Sequence, residues 1–343
     1  MHIDKETFVT SSRRRFIKQS GVALVAFALP FRLKAYLNQN RMENIKHFDV
    51  LIIGGSYSGM ASGMALGRAL KKVLIIDSGK PCNIQTPQSH NFITQDGSTP
   101  KEIATLARQQ VEKYDTVQFF NGLATKGIKT DNGFEIETAM GEKFWARKVI
   151  FATGIKDMMP DIDGFAECWG ISVLHCPYCH GYEVRNEKTG VLSNGEHGFE
   201  LCKLISNWTK DLTLYTNGKS ILTAEQTLKL ASHHIQIEET EIDRLEHQNG
   251  YVQNIHFKDG TTKSIKAIYA PTSFEQHCTI PMALGCEFTD EGYIKIDTMQ
   301  KTSIHGVFAC GDNTTRMRTV ANAVAMGTLA GMMVNKEFVS EMF

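Results

Sequence analysis

The sequence predicts an α/β protein built from two Rossmann-like dinucleotide-binding units. Short apolar strands rich in β-branched residues run into glycine-containing turns after Ile53 and again after Leu192. A segment of helical composition and a second apolar strand follow each turn. The composition also fits, since a chain of 343 residues with 42% hydrophobic and 22% charged residues can bury the cores of about two domains.

The charge balance and the cysteine content argue against two classes of protein. Lysine plus arginine equals aspartate plus glutamate at 37 each, so the zero net charge gives no electrostatic reason to expect a nucleic-acid partner. Eight cysteines in a chain of this length are too sparse for a disulfide scaffold. Outside one C-x-x-C pair, we expect the cysteines to be small buried hydrophobic residues, namely Cys82, Cys168, Cys202, Cys278, Cys286 and Cys310.

Residues 1–41 differ from the rest of the chain and have the form of an export leader. Ser12–Lys18 (SRRRFIK) resembles a twin-arginine signal, and the apolar run Val22–Leu29 is too short for a membrane span, which needs about 20 residues. Ala26-Phe27-Ala28 matches an A-x-A cleavage site. We therefore expect export to the periplasm; the alternative is a cytoplasmic protein whose translation starts at Met42.

The first unit has the order strand, glycine turn, helix, strand and acid. Gly54 permits a tight turn after the strand, and Gly59 lets the following helix, from Met60 to Leu70, pack closely. Small residues in the turn let a pyrophosphate reach the helix N-terminus, where free N–H groups bind anions, although Ser56 replaces the usual middle glycine. Asp77, 18 positions after Gly59, stands where an acid hydrogen-bonds a ribose hydroxyl. The predicted nucleotide site comprises Gly54, Gly55, Ser56, Ser58, Gly59 and Asp77.

Two later strand ends indicate which nucleotide binds. Val149–Gly154 ends in Ala-Thr-Gly, and Gly306–Asp312 ends in Gly-Asp before a small-residue helix that starts at Val320. With these motifs in this order, the chain from Phe48 to its C-terminus resembles the flavoproteins of the low-molecular-weight thioredoxin reductase type. The resemblance implies bound FAD, a homodimer, and an NAD(P)-type domain inserted into the FAD domain. The domain limits that follow are 46–156 and 273–343 for the FAD domain and 157–272 for the inserted domain.

The resemblance also assigns roles to particular residues. The first glycine turn binds the FAD pyrophosphate and Asp77 the adenosine ribose, while Asp312 reaches the ribityl–pyrophosphate portion. The remaining cofactor-binding residues that it implies are Thr153, Gly154 and Gly311 at the two strand ends, and Asn83, Thr319 and Val320 against the flavin.

The second unit keeps the strand–turn–helix shape but lacks the usual nucleotide-binding residues. Ser193 stands where a first glycine is expected, and Glu196 places negative charge beside any pyrophosphate. Thr216–Lys219 supplies neither the arginine expected at the 2′-phosphate of NADP nor the acid expected at the ribose of NAD; Lys219 alone offers a point charge. Two alternatives stay open: a working NADPH or NADH site, or a retained domain that no longer binds a nicotinamide cofactor.

The stretch His175–Glu183, HCPYCHGYE, contains the C-x-x-C pair Cys176 and Cys179. By itself it fits a c-type haem attachment site, a zinc site or a redox dithiol. A position between two nucleotide domains disfavours haem, and the sequence has no second pair of ligands at the spacing of a four-ligand zinc site. We adopt the redox dithiol, because the thioredoxin reductase-like family has its redox-active pair at this location.

By the same resemblance, Cys179 faces the flavin and Cys176 is the outer cysteine that exchanges with substrate. Many family members have an acid after the second cysteine, whereas this chain has His180, which can act as general base or acid near neutral pH. C-x-x-C-H-G-Y-E also resembles a narrower branch, the flavin-dependent dithiol oxidases that close disulfides in small molecules. Glu183 either orients His180 or, as is commoner for acids, is a solvated surface residue.

Three functions follow as hypotheses. The first is a dithiol oxidase, in which substrate thiols reduce Cys176–Cys179 and electrons pass through FAD to oxygen or another acceptor. The export signal, the altered second unit and His180 favour it. The second is an NAD(P)H-dependent disulfide reductase, and the third is a flavin-binding redox sensor without turnover. The partner is a dithiol or disulfide, on a small molecule or a thioredoxin-like protein, and no residue distinguishes these.

Overall fold

The computed structural model describes residues 45–343, so the leader predicted for residues 1–41 lies outside the described residues. The strands are β1 (Lys46–Ile53), β2 (Val73–Asp77), β3 (Val117–Asn121), β4 (Ala124–Thr130), β5 (Gly133–Thr138), β6 (Lys143–Phe151), β7 (Ile155–Met158), β8 (Val173–Leu174), β9 (Thr189–Leu192), β10 (Leu212–Tyr215), β11 (Gln236–Glu238), β12 (Ile242–Gln248), β13 (Tyr251–Phe257), β14 (Thr262–Ser264), β15 (Ala267–Tyr269), β16 (Ser273–Gln276) and β17 (Val307–Ala309). The helices are α1 (Tyr57–Arg68), α2 (Pro100–Val111), α3 (Phe165–Cys168), α4 (Pro177–His180), α5 (Gly195–Ile205), α6 (Ala224–Ser232), α7 (Ile280–Ala283) and α8 (Val320–Met342).

The first sheet has the strand order β3-β2-β1-β6-β5-β4, and β17 also pairs with β6. The pairs β1–β2, β2–β3 and β6–β17 are parallel, whereas β4, β5 and β6 are antiparallel. Alternate residues of β1 enter two different cores: Leu51 and Ile53 face one, and Val50 and Ile52 face the other. A strand buried on both faces must be apolar throughout, which explains the continuous run in the sequence.

Helices α1 and α8 pack together on one face of this sheet, and small residues let them approach closely. The hydroxyl of Ser62 donates to the carbonyl oxygen of Gly327 at 2.8 Å. A Cβ at Gly327 would lie 2.1 Å from the carbonyl oxygen of Ser58, so a larger residue would force the helices apart. The contact joins the first glycine turn to the C-terminal segment, which brings the two halves of the predicted flavin site together.

The second sheet, β11-β10-β9-β15-β8, is parallel throughout and forms from the chain between β7 and β16. Helix α5 connects β9 to β10 in the usual crossover. Strands β12, β13 and β14 form an antiparallel sheet, and β12 and β13 contribute Leu245, Ile255 and Phe257 to a core on this unit. The antiparallel pair β7–β16 is where the chain leaves and re-enters the first unit.

The predicted fold class is therefore confirmed: two Rossmann-like units, with the second inserted into the first. The domain limits given above stay predictions. The first crossover helix begins at Tyr57 rather than at Met60, because Ser56 is the last residue with extended backbone and the chain is helical from there. Among residues 45–343, no helix is long and apolar enough to cross a membrane.

Candidate functional site

Cys176 and Cys179 form a disulfide, with their sulfurs 2.07 Å apart, at the start of the four-residue helix α4. Pro177 occupies the first helical turn, where its missing N–H costs no helical hydrogen bond. The Sγ of Cys176 accepts the backbone N–H of Cys179 at 3.2 Å. The helix thus holds the pair in the oxidised form that a redox dithiol cycles through.

His180 ends α4 and is partly buried. Burial, with a smaller contribution from the charge of His90, lowers its pKa to about 4. The imidazole is therefore neutral at physiological pH and able to accept a proton. Donation from a resting imidazolium is therefore disfavoured, and the ring can act on a substrate thiol only as a weak base.

Glu183 contacts His90 instead of the histidine that the sequence suggested as its partner. Its Oε1 lies 3.5 Å from the Nε2 of His90, and the other ring nitrogen of His90, Nδ1, lies 3.7 Å from Oδ1 of Asp96. Glu183 is exposed, in keeping with a solvated surface acid, and its ion pair is with His90 rather than with His180. The position of His90 near the C-x-x-C motif was not predicted, because His90 lies in a loop that is distant from this motif in the chain.

His175 and Cys82 are both exposed. Solvent reaches both side chains, but much of each is surrounded by protein. This partial burial lowers the pKa of His175 to about 4 and raises the pKa of Cys82 to about 12. The ring of His175 stacks on Trp169, with centroids 5.8 Å apart. The expectation that all six unpaired cysteines are buried is wrong for Cys82 alone, which lies in the loop between β2 and α2 instead of in a buried strand or helix.

An aromatic surface borders the redox pair. The ring of Tyr178, which lies between the two cysteines, packs edge-on against Trp208 with centroids 5.6 Å apart. A Cβ at Gly181 would lie 2.8 Å from the indole Nε1 of Trp208, so glycine allows α4 to rest against this ring. With Leu201 and Leu204, these rings line an open groove of about 720 Å³.

The first glycine turn has the geometry that a pyrophosphate needs. Gly54 has φ +103°, and a Cβ there would lie 2.2 Å from the carbonyl oxygen of Ala152. The N–H of Gly55 donates to Asp77 Oδ1 at 3.0 Å. A Cβ at Gly59 would lie 1.9 Å from the carbonyl oxygen of Gly54. Ser56 begins α1 without a side-chain cap, so the helix N-terminus keeps donors for an anion.

Two of the residues that the resemblance placed at the flavin, Gly311 and Asn83, lie beside the start of α1. A Cβ at Gly311, which has φ +88°, would lie 2.7 Å from Ser58 Oγ. The amide of Asn83 donates to the hydroxyl of Tyr57 at 3.4 Å. Burial raises the pKa of Asp312. The observed contacts of the others are within the protein: Thr153 accepts from Asn313, Gly154 has φ +62°, and Thr319 caps α8 directly before Val320. The residues present fit FAD, and their individual roles stay predictions.

An ion pair that the sequence did not indicate joins the two units. Arg318 donates to both oxygens of Asp157, at 2.7 and 2.8 Å, and Thr272 donates to Asp157 at 2.9 Å. Asp157 lies on β7, and Thr272 directly precedes β16. Burial opposes the charge of Asp157, but Arg318 outweighs it and lowers the pKa of the carboxyl. The Nε of Arg318 also lies 3.7 Å from Asp312.

In the second unit, the chain itself occupies part of the N-terminus of α5. Asn194 Oδ1 accepts the N–H groups of Gly195 and Ile221 at 2.8 and 3.0 Å, and its Nδ2 donates to the carbonyl oxygen of Lys219 at 2.9 Å. The side chain of Ile221 lies 3.1 Å from a Cβ built on Gly195. Glu196 accepts from the amide of Gln226 at 2.5 Å. Helix α5 therefore has a side-chain cap at its N-terminus, whereas α1 has none.

Two dinucleotide-binding units, a glycine turn that fits a flavin nucleotide and a disulfide in C-x-x-C spacing define a flavoprotein that exchanges electrons with thiols. The family model described as pyridine nucleotide-disulphide oxidoreductase matches residues 48–327, and the chain belongs to that family. It is therefore an FAD-dependent oxidoreductase acting on sulfur groups. The family pairs FAD with a pyridine nucleotide.

The similar proteins agree with this assignment. The chain is 32% identical over 309 residues to thioredoxin reductase tcpT of Claviceps purpurea, covering 86% of this chain and 95% of the relative. It is 29% identical to thioredoxin reductase aclD of Aspergillus oryzae, covering 83% and 94%. Among solved structures, putative thioredoxin reductase TrxB from Bacillus anthracis has a TM-score of 0.83 at 29% identity, covering 86% and 100%. An oxidoreductase from Agrobacterium tumefaciens has a TM-score of 0.81 at 33% identity, covering 86% and 99%.

Replacing Gly54 by alanine is expected to remove bound FAD. The new Cβ would collide with the carbonyl oxygen of Ala152, and the positive φ adds strain. The matched control is Gly141→Ala, at a positive φ with no atom near the new Cβ. The ratio of flavin to protein absorbance after gel filtration measures the effect. A Gly54→Ala protein with a full flavin complement would contradict the assignment of this turn.

Proposed function

We propose that this chain is an FAD-dependent dithiol oxidase, which converts a substrate dithiol into a disulfide and does not use a nicotinamide cofactor. The observation that supports this best is the N-terminus of α5, which the chain itself partly occupies. A nicotinamide nucleotide would need its pyrophosphate at this helix end, where Asn194 already occupies the first N–H group and Ile221 covers Gly195.

The charges around the same helix end also disfavour a nucleotide phosphate. Glu196 lies in the first turn of α5, and the carboxylate of Glu239 accepts the N–H of Ser220 at 2.8 Å in the loop beside it. Asn217, at the strand end where the ribose would lie, has its Oδ1 engaged by the N–H of Ile242 at 2.7 Å. The site thus has two carboxylates, and Thr216–Lys219 contains no arginine. This charge distribution is unfavourable for binding a dinucleotide.

His180, Cys176 and Cys179 each have a separate role in the proposed oxidation of the dithiol. One substrate thiol gives its proton to neutral His180, and its sulfur attacks Cys176, breaking the Cys176–Cys179 bond and forming a mixed disulfide. The second substrate thiolate attacks the substrate sulfur of this mixed disulfide, which releases the substrate disulfide and leaves both cysteines reduced. FAD, when bound, supplies the two-electron acceptor that restores the cysteine disulfide, and oxygen or another oxidant takes the electrons from it.

The second candidate function is an NAD(P)H-dependent disulfide reductase. The parallel sheet β11-β10-β9-β15-β8 of the second unit is complete, and the relatives tcpT and aclD carry the name thioredoxin reductase. In this direction electrons flow from the nicotinamide through FAD to Cys179 and Cys176, and then to a substrate disulfide.

An anaerobic titration of the FAD-loaded protein separates these functions. NADPH, NADH and a small dithiol such as dithiothreitol are added in separate cuvettes while the oxidised flavin absorbance is followed. We expect the dithiol alone to bleach the flavin, and air to restore the colour. Bleaching by a near-stoichiometric amount of either nicotinamide would overturn the oxidase proposal in favour of the reductase.

The leader and the oligomeric state belong to the same proposal. We propose that the chain is exported by the twin-arginine route, which carries folded proteins and so permits FAD loading before export, and that it works as a homodimer. Arg14→Lys/Arg15→Lys should then retain the protein in the cytoplasm when cells are fractionated. Light scattering on the purified wild type should give twice the chain mass of 38.3 kDa.

A further inference from the structure

An open groove of about 720 Å³ borders α4, and the proposed chemistry gives it no role. Four of its eight lining side chains are aromatic or apolar, namely Tyr178, Leu201, Leu204 and Trp208. Tyr178 directly precedes Cys179 in the chain, and the two leucines belong to α5. This aromatic groove therefore lies in the inserted unit, beside the disulfide.

Tyr178 gives the groove an accessible aromatic ring. It meets the ring of Trp208 edge-on, at an interplanar angle of 87°, and the residue is 63% exposed. Tyr182 is as exposed, at 67%, but the guanidinium of Arg185 lies over its ring, 3.9 Å from the centroid, and Tyr182 does not line the groove. Of these two tyrosines, Tyr178 is therefore the one placed to stack on a flat ligand group.

The charges in the lining balance one another. Among the eight lining residues, the Asp, Glu, Lys and Arg side chains are Glu200 and Lys203 alone, and Nζ of Lys203 donates to both carboxylate oxygens of Glu200 at 3.2 Å. A charged ligand would lose water here without gaining an unpaired counter-charge, which is unfavourable. The groove therefore fits an uncharged, largely apolar ligand.

The size of the groove indicates a small molecule. Small-molecule pockets enclose about 300–1,000 Å³, a range that includes the volume of about 720 Å³ found here. A protein partner needs roughly 20–30 residues on each side of an interface, whereas eight residues line the groove. Of the small molecule and the thioredoxin-like protein that the sequence left open, the groove thus favours the small molecule.

We propose that the aromatic groove is the substrate subsite of the redox centre, and that it holds an aromatic or other flat apolar group of a small, uncharged dithiol. The proposal rests on the proposed dithiol oxidation and names its substrate class. With this group packed against Tyr178, Leu201 and Leu204, the thiols stay beside Cys176–Cys179, which raises their effective concentration at the disulfide. The substrate S–S bond forms as the Cys176–Cys179 bond breaks, and the two thiol protons pass to the two cysteines by way of solvent.

Two dithiols that close the same six-membered cyclic disulfide test the groove. They are dithiothreitol and 1,2-bis(mercaptomethyl)benzene, which carries an aromatic ring between its thiols. Flavin reduction in the FAD-loaded protein is followed by anaerobic stopped flow, and the ratio of the aromatic to the aliphatic second-order rate constant gives the selectivity. We expect the wild type to prefer the aromatic dithiol at least about tenfold. Reduced thioredoxin, added in the same way, should reduce the flavin more slowly than the aromatic dithiol.

Variants in the groove should lower this selectivity ratio. Tyr178→Ala removes the ring on which the substrate stacks and Leu204→Glu puts a charge into the groove, so each should lower the ratio at least about fivefold. The matched controls are Tyr182→Ala and Leu228→Glu, at exposed residues outside the groove, and both should keep the wild-type ratio. The flavin content of each variant shows whether it has folded.

A wild-type ratio near one, or a ratio that Tyr178→Ala or Leu204→Glu leaves unchanged, would overturn this subsite. Faster flavin reduction by thioredoxin than by the aromatic dithiol would also overturn it.

A wild type whose flavin none of these thiols bleaches would instead overturn the proposed function. The groove is then tested without turnover, by calorimetry with the redox-inert diol 1,2-bis(hydroxymethyl)benzene. Binding to the wild type that is at least about fivefold weaker in Tyr178→Ala but unchanged in Tyr182→Ala would support the groove as a ligand site. Equal binding to all three proteins, or none to the wild type, would overturn it.

Discussion

Cys179→Ser is expected to abolish flavin reduction by a dithiol, with a loss of more than about 1000-fold in turnover. Cys176→Ser should abolish turnover to a similar extent, because neither single cysteine can form the disulfide that is reduced and restored in each cycle. The two variants should differ in their spectra. By family resemblance, the sulfur of Cys179 faces the flavin. This cysteine remains in Cys176→Ser, and its thiolate should add a long-wavelength absorbance band. Cys179→Ser should lack the band.

Stopped-flow absorbance and the spectrum of the FAD-loaded protein measure both effects. The matched control is Cys286→Ser, since the Cys286 thiol already hydrogen-bonds the Thr302 hydroxyl at 3.6 Å and serine can keep that bond. It should retain turnover. A long-wavelength band in Cys179→Ser instead of Cys176→Ser would exchange the roles of the two sulfurs. Turnover by either single variant would remove the disulfide from the mechanism.

Arg318→Met is expected to destabilise the folded protein by about 3–5 kcal/mol. The side chains of Arg318 and Asp157 are 13% and 5% exposed. Arg318 donates to both oxygens of Asp157 and so balances the charge of this buried carboxylate. Methionine keeps the bulk but leaves Asp157 and Asp312 without their shared cation. Leaving a buried charge unpaired costs more than removing the whole pair.

The double variant Asp157→Asn/Arg318→Met tests this reason. It should recover a large part of the stability that Arg318→Met loses, because one of the two orphaned carboxylates is then absent. Urea denaturation of the FAD-loaded proteins at neutral pH, with the flavin content of each variant checked first, gives the comparison. An Arg318→Met protein within about 1 kcal/mol of the wild type would show that the pair contributes little at this boundary.

The fold class and the C-x-x-C pair could be predicted from the chain alone. The buried parts of β1 and β2, Val50–Ile53 and Val73–Ile76, are continuously apolar because both faces of a parallel sheet are buried, and this pattern is visible without coordinates. Gly54 and Gly59 were predictable for the same local reason, since the turn that they permit is set by neighbouring backbone. Cys176 and Cys179 are close in the chain, so their pairing needed only one turn of helix.

The contacts between side chains of the two units could not be predicted in this way, because they depend on three-dimensional packing. Asn194 caps α5 because the loop that contains Ile221 returns over the helix, and Glu183 contacts His90 because the β2–α2 loop reaches the inserted unit. Arg318 and Asp157 are likewise distant in the chain. Periodicity and glycine spacing report on each strand or helix separately. Contacts between distant segments depend on how these elements pack and on the path of the loops, which no local pattern records.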